Sequence, residues 1–188
     1  MQVTPHKRKG IMPKSNPKLP IISKCTHVME KVYLPRILSC LEMLSPVQIW
    51  WRPNEASNSV GNLALHLAGN VRQWIVSGLG GAEDKRQRDL EFSERGPLPR
   101  RIVACRLRKA VAEACRALRK LTPQDLERIY TIQKFQVTGF EAAFHVAEHF
   151  SHHAGQIILI TKMLTSRDLE FTHLPDEKKR ERRKLPAL

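Results

Sequence analysis

The stretch His145-Val-Ala-Glu-His-Phe-Ser-His-His-Ala-Gly-Gln156 decides how this chain is read. It holds four of the eight histidines, His145, His149, His152 and His153, inside a segment that otherwise has the pattern of one long helix. At about 3.6 residues per turn, His145, His149 and His153 stand one above another on the same side. His152 and Gln156 fall on the edges of that side. Imidazole is costly to bury without a partner, so a packing helix does not call for such a stripe. A transition-metal site does, because His at i and i+4 stand roughly 5–6 Å apart at Cβ and converge on one ion.

Working outward, the helix spans about 140–164. Phe144, Ala147, Phe150, Ala154, Ile157 and Ile158 form an apolar side roughly opposite the histidines. Three further segments have helical periodicity. The first, about 22–44, carries Val28, Val32, Leu34, Ile37, Leu38, Leu41 and Leu44, and Pro35 should bend or break it near Tyr33–Leu34. The second, about 59–77, carries Val60, Leu63, Ala64, Leu67, Val71 and Trp74, with Asn58 or Ser57 as N-cap and Gly78, Gly80 and Gly81 as the stop. The third, about 100–121, carries Val103, Leu107, Ala110, Val111, Ala114, Leu118 and Leu121. Residues 80–99 read as a long loop, and 130–138 as a short extended piece. Four amphipathic helices of about 20 residues, each with a single apolar stripe, predict an all-α four-helix bundle over residues 21–175.

The ends differ from this body. Residues 1–20 place Pro5, Pro13, Pro17 and Pro20 among lysines, which predicts a disordered basic arm. Residues 176–188 form a charged basic tail. The net charge of +14 comes from the first 24 residues (+6), the helix region 97–120 (+7) and the tail (+3), less the −2 of residues 121–175. The histidine-rich helix therefore lies in a near-neutral part of the chain. Apolar residues make up 41% of the sequence, which suits a globular domain. No apolar run is long enough to span a membrane and no secretory leader is evident. The four cysteines, Cys25, Cys40, Cys105 and Cys115, show neither metal-motif spacing nor disulfide density, and each fits a small apolar role in a helix. A cytoplasmic protein is expected.

Two histidines from one helix leave a three-ligand site one donor short. His66 is the best-placed candidate: it is helical, off the apolar stripe, and flanked by Asn62, Asn70 and Gln73, whose amides could orient its second nitrogen. His6, His27 and His173 lie in the arm or near helix ends. On spacing alone, the pairs 145/149 and 149/153 are equivalent. A solvated face that happens to be rich in histidine is the competing reading.

The segments Arg52-Pro-Asn-Glu-Ala-Ser-Asn-Ser59, Gly61-Asn-Leu-Ala-Leu-His-Leu-Ala-Gly-Asn70 and His145 to Ile157 resemble the DinB superfamily. With Thr161-Lys-Met-Leu-Thr-Ser-Arg-Asp-Leu169, they look most like an uncharacterised DinB-like branch, a domain of unknown function. The resemblance covers about residues 25–175. It implies a DinB-like four-helix fold with crossed connections, often a homodimer, and a divalent ion such as zinc or nickel. Its ligand pattern, carried over by position, falls on His66, His149 and His153. Characterised relatives include thiol-dependent S-transferases and a thiol-dependent isomerase, so the resemblance implies a metal-dependent transferase using a low-molecular-weight thiol on a small-molecule substrate. Hydrolysis with water in the open position would use the same donors. No decisive general base stands out. Glu55 and Asn58, near the start of the second helix, and Gln156, close to the stripe, are expected at the site edge.

Two other classes remain open. One is a helical bundle that holds metal without catalysis. The other is a module whose basic helix and ends meet nucleic acid or an acidic surface, which the lack of aromatics in the ends makes the weaker reading.

Overall fold

Proline 35 does not break the first helix. The structure, a computed structural model, describes residues 19–171 except residue 97, and in it α1 (Pro20–His27) runs through a π-helical turn (Val28–Tyr33) into α2 (Leu34–Met43) without leaving helical dihedrals. Leu34 N–H donates to the Met29 carbonyl, five residues back, so the widened turn accommodates the pyrrolidine ring that an α-turn would meet. The expected tail and all but the last two residues of the expected arm lie outside the described residues.

A short helix α3 (Pro46–Trp50), started by a Ser45–Gln48 capping box, follows the first rod. The second rod is α4 (Val60–Val71), which continues as a second π-helical segment, Arg72–Leu79. Its N-cap is Ser59, one residue beyond the expected cap, because Ser59 and Asn62 complete a buried capping box. Gly78 stays inside the rod, which closes at Gly80, whose N–H bonds the Ile75 carbonyl. Within the expected loop 80–99 stands α5 (Arg88–Ser93). The third rod, α6 (Arg100–Leu118), is followed by the short α7 (Pro123–Glu127) and an antiparallel hairpin, β1 (Ile129–Ile132) and β2 (Phe135–Thr138), pairing Ile129 with Thr138. Gln133 and Lys134 form its turn at positive φ, 51° and 70°. The fourth rod, α8 (Gly139–Thr165), opens on a Thr138–Glu141 capping box.

Around the bundle, the first rod packs on α8, α8 on α4, α4 on α6, and α6 back on the first rod. Rods consecutive in sequence, first and second or third and fourth, therefore lie across the diagonals, and the connections cross. This order makes α4 and α8 neighbours. The expected stripes of the second and third helices are buried, except that Leu121 is only partly so. In the first rod the fully covered positions are Met29, Ile37, Cys40, Leu41 and Leu44, with Val28 and Val32 at the margin. On α8, Ala142, Ala143, Val146, Phe150, Ala154 and Ile157 are buried, while Phe144 is half exposed. The histidines thus lie about 100° from this line, beside it rather than opposite, which is what brings them to the α4–α8 seam. Cys25, Cys40 and Cys115 are buried; burial pushes the Cys25 thiol up to about 11. Cys105 is exposed, contrary to the apolar role expected of it, because it faces outward on α6.

Helix α4 is buried all round at every residue but Gly69, since α5 covers the side that the bundle leaves open. Asn62 Nδ2 donates to the carbonyls of Glu91 and Glu94 at 2.9 and 2.8 Å, tying α5 and its exit to the first turn of α4. Two turns on, Gly69 lets the Glu91 carboxylate press against the helix; a Cβ there would stand 1.8 Å from Oε1. In an exposed helix interior, Gly→Ala stabilises by about 1 kcal/mol. Here Gly69→Ala is expected to do the reverse, lowering the urea midpoint and exposing 80–99 to proteolysis. A stabilised variant with an intact segment would show that Glu91 does not depend on this contact.

Candidate metal centre

Each histidine is placed by its own helix. His66 is on the fully covered α4 and only 5% exposed; His149 and His153 lie half-buried on α8, one turn apart. Their Nε2 atoms converge: His66 to His149 is 3.1 Å and His153 to His149 is 3.2 Å, and all three donors lie within 4.8 Å of one another. Nitrogens at 2.0–2.1 Å from a tetrahedral ion stand about 3.3 to 3.4 Å apart, so the two separations from His149 match a shared cation within a few tenths of an ångström.

The tautomers agree with that reading. His66 Nδ1 faces Glu91 Oε2 at 3.0 Å, and His153 Nδ1 faces Gln156 Oε1 at 2.7 Å. Both acceptors require N–H at Nδ1, which leaves the Nε2 lone pairs pointing into the cluster. Arg86 Nη2 also lies 3.1 Å from His66 Nδ1, but it donates to Glu91 Oε2 at 2.8 Å. A lone pair at Nδ1 would oppose the carboxylate, so the proton is assigned there. His149 Nδ1 is buried with no protein partner, and His149 Nε2 has a nitrogen on each side. A single proton cannot lie along both contacts at once; a cation accepts all three lone pairs.

Burial, followed by the neighbouring His153, His66, His145 and Arg86, pulls the His149 pKa down to about 3. Burial also lowers His153, against the opposing effect of its hydrogen bond to Gln156. These two imidazoles are neutral at physiological pH, as metal donors must be. Burial by itself pushes the Glu91 carboxyl up; the hydrogen bonds of Arg86 and His66 and the charge of Arg86 outweigh it and hold the group below its usual range. Arg86 Nε completes the fork to Glu91 Oε1 at 2.7 Å, and Nη1 donates to Gln73 Oε1 at 2.7 Å.

The second nitrogen of His66 is therefore oriented by Glu91, not by the amides of Asn62, Asn70 or Gln73. Asn62 and Gln73 act one step back: they hold the segment that supplies Glu91 and Arg86. Neither residue stands out in the sequence, because 80–99 reads as loop. The available signal was the glycine at position 69, in mid-helix on the same polar flank as His66.

Gln156 lies against the site, bonding His153 by Oε1 and approaching His152 at 3.4 Å. Glu55 does not: its carboxylate is exposed and pairs with Arg52 at 2.8 Å. Asn58 is partly buried just before the N-cap of α4. His152 is exposed, and His145 packs on Trp74 with ring centroids 4.2 Å apart. His145 and Trp74, with Asn70, Phe135 and Val137, line a cavity of about 440 Å³ that reaches His66 and His149.

A family described as a protein of unknown function (DUF1572) matches residues 25–178. The chain belongs to that family. The crystal structure of a DinB-like protein from Bacillus cereus ATCC 10987 superposes with a TM-score of 0.58 at 18% identity, covering 77% of this chain and 90% of that one. This DUF1572 chain therefore has the mostly α-helical, DinB-like fold, with one small hairpin added to the expected helices. None of the curated proteins matches it. No helix among the described residues is long and apolar enough to cross a membrane.

The lowered His149 pKa sets a pH dependence. Above about 6.5 neither folded nor unfolded chain protonates this residue. Between there and about 3 the unfolded chain takes up a proton that the folded, metal-free chain refuses, so stability falls with pH across that window. Urea midpoints of the metal-free protein from pH 8 to pH 4 should fall more steeply for wild type than for His149→Asn. Parallel curves would mean that His149 titrates normally in the folded protein.

Proposed function

We propose that this protein is a divalent-metal-dependent enzyme acting on a small molecule, with His66, His149 and His153 as the ligands and thiol-linked transfer as its chemistry. The observation that carries the reading is the convergence of three Nε2 atoms, two of them with their proton fixed on the opposite nitrogen. An all-imidazole donor set suits zinc or nickel. Three protein ligands leave a position open, and an ion held there supplies Lewis acidity, lowering the pKa of a thiol or water in that position. The thiol-linked part comes from the resemblance to the DinB superfamily.

The chain's own residues do the rest. Glu91 and Gln156 hold two imidazoles in the donating tautomer. Arg86 keeps Glu91 ionised and itself carries no free charge towards the cavity. Trp74 and His145 form an aromatic wall beside the donors, where a substrate can lie while the packed face of α8 excludes water from behind. A purely structural ion fits less well, because His66 and His149 border an open cavity at the margin of a core that is complete without the donors.

Purified protein should carry about one equivalent of zinc or nickel per chain, and His66→Ala, His149→Ala and His153→Ala should each lose it. His149→Ala should still unfold cooperatively; collapse of the fold instead would make the ion a staple. Glu91→Gln keeps the shape but weakens the orienting bond, and should lower metal affinity by about 10- to 100-fold in a competition titration. Wild type that takes up no divalent ion would refute the reading. A screen of low-molecular-weight thiols with electrophiles tests the transfer chemistry separately.

A further inference from the structure

Arg88 is the first residue of α5 and lines the same cavity as His66 and His149. Its guanidinium lies over the Phe92 ring at 4.8 Å, and the Phe92 ring packs on the His66 ring at 4.7 Å. Arg88, Phe92 and His66 thus form a ladder, and its two steps place the guanidinium within about 9.5 Å of the His66 ring. The stacking pre-orients the fork while leaving its N–H groups free.

The charges around this cavity are unequally committed. Arg86 is consumed by Glu91 through two hydrogen bonds. The Glu141 carboxylate accepts from Thr138 N and Oγ1 at 2.7 and 2.8 Å, closing its helix cap. Arg88 has no carboxylate within ion-pair distance among the described residues. The same lining also holds an apolar group, Trp74, Phe135 and Val137, of which Phe135 is largely exposed. A volume of about 440 Å³ lies in the range of metabolite-sized pockets.

We infer that the cavity takes a small amphipathic anion, its carboxylate or equivalent acid group held by Arg88 and its apolar body lying on Trp74, Phe135 and Val137, so that its far end reaches His66 and His149. This assignment of substrate class rests on the proposed function for what happens at that far end, but the anion site itself does not need the metal. A bidentate guanidinium–carboxylate pair at a partly exposed site is worth roughly a factor of ten in affinity.

The probe is 4-phenylbutanoate, titrated calorimetrically against its neutral amide, with metal-free and metal-loaded full-length protein. The metal-free arm excludes direct coordination of the carboxylate to an ion. The acid is expected to bind about tenfold more tightly than the amide in both forms. Arg88→Gln should abolish that preference with metal content unchanged, whereas Arg101→Gln, the same charge change on the distant α6, should keep it. Equal affinities of acid and amide, a preference that survives Arg88→Gln, or no binding of either compound at millimolar concentration would each overturn the inference. If wild type holds no metal, the metal reading fails while the metal-free arm still decides this one.

Discussion

The Glu91 carboxylate lies against the backbone of α4 at Gly69, where no Cβ stands in its way, and the rest of the site follows from that contact. Removing a carboxylate from water is costly unless its lone pairs are met. Here Arg86 supplies a two-pronged fork and His66 an N–H, with all three side chains at most 10% exposed. The arrangement is closed only while segment 86–94 sits on α4, and that segment is held by Asn62 at one end and Gln73 at the other. Asn62, His66, Gly69 and Gln73 form one seam along the second rod. Each member serves the same docking, and the imidazole is the member turned towards α8.

The four rods and their order along the chain could be read from the sequence because each depends on periodicity, which is local. Val60, Leu63, Ala64, Leu67, Val71 and Trp74 repeat at helical spacing and are all buried. What periodicity could not supply was the non-local half of the site. Glu91 reaches His66 across 25 residues of chain, in a short helix too polar to announce itself. Likewise, Pro35 reads as a break because a standard turn cannot accept it, and a π-turn is not visible in composition. The angular relation on α8 was also misjudged. Phe144 extends the apolar pattern on paper, but it stacks on Phe140 in solvent while Ala142, Ala143 and Val146 face the core. Small residues let the helix approach its neighbours closely, and that shifts the buried line towards the histidines.

Crossed connections matter for the same reason. An up-and-down bundle puts consecutive rods side by side, so the second and fourth would face each other only across a diagonal. Placing α8 between the first rod and α4 shortens that distance to direct packing. Two imidazoles on α8 and one on α4 then meet without a loop having to carry any ligand. Ligands on rigid, packed helices lose little freedom when an ion binds, which favours affinity and a fixed geometry together.

The same packing sets the electrostatic character of the centre. His149 is surrounded by other bases and by Arg86, so a proton there is opposed from several directions, and burial removes the water that would soften the repulsion. A divalent cation meets the same repulsion from Arg86, yet it gains three lone pairs at once where a proton gains one or two. Glu91 tips the balance further, because its charge cancels that of Arg86 and reaches the cluster through the polarised imidazole of His66. A bundle that only needed to fill space at this seam would have had apolar residues at 66, 149 and 153, with no buried carboxylate to satisfy. The cost of Glu91 and Arg86 is accounted for if the seam serves a cation on one side and, through the open cavity, a ligand on the other.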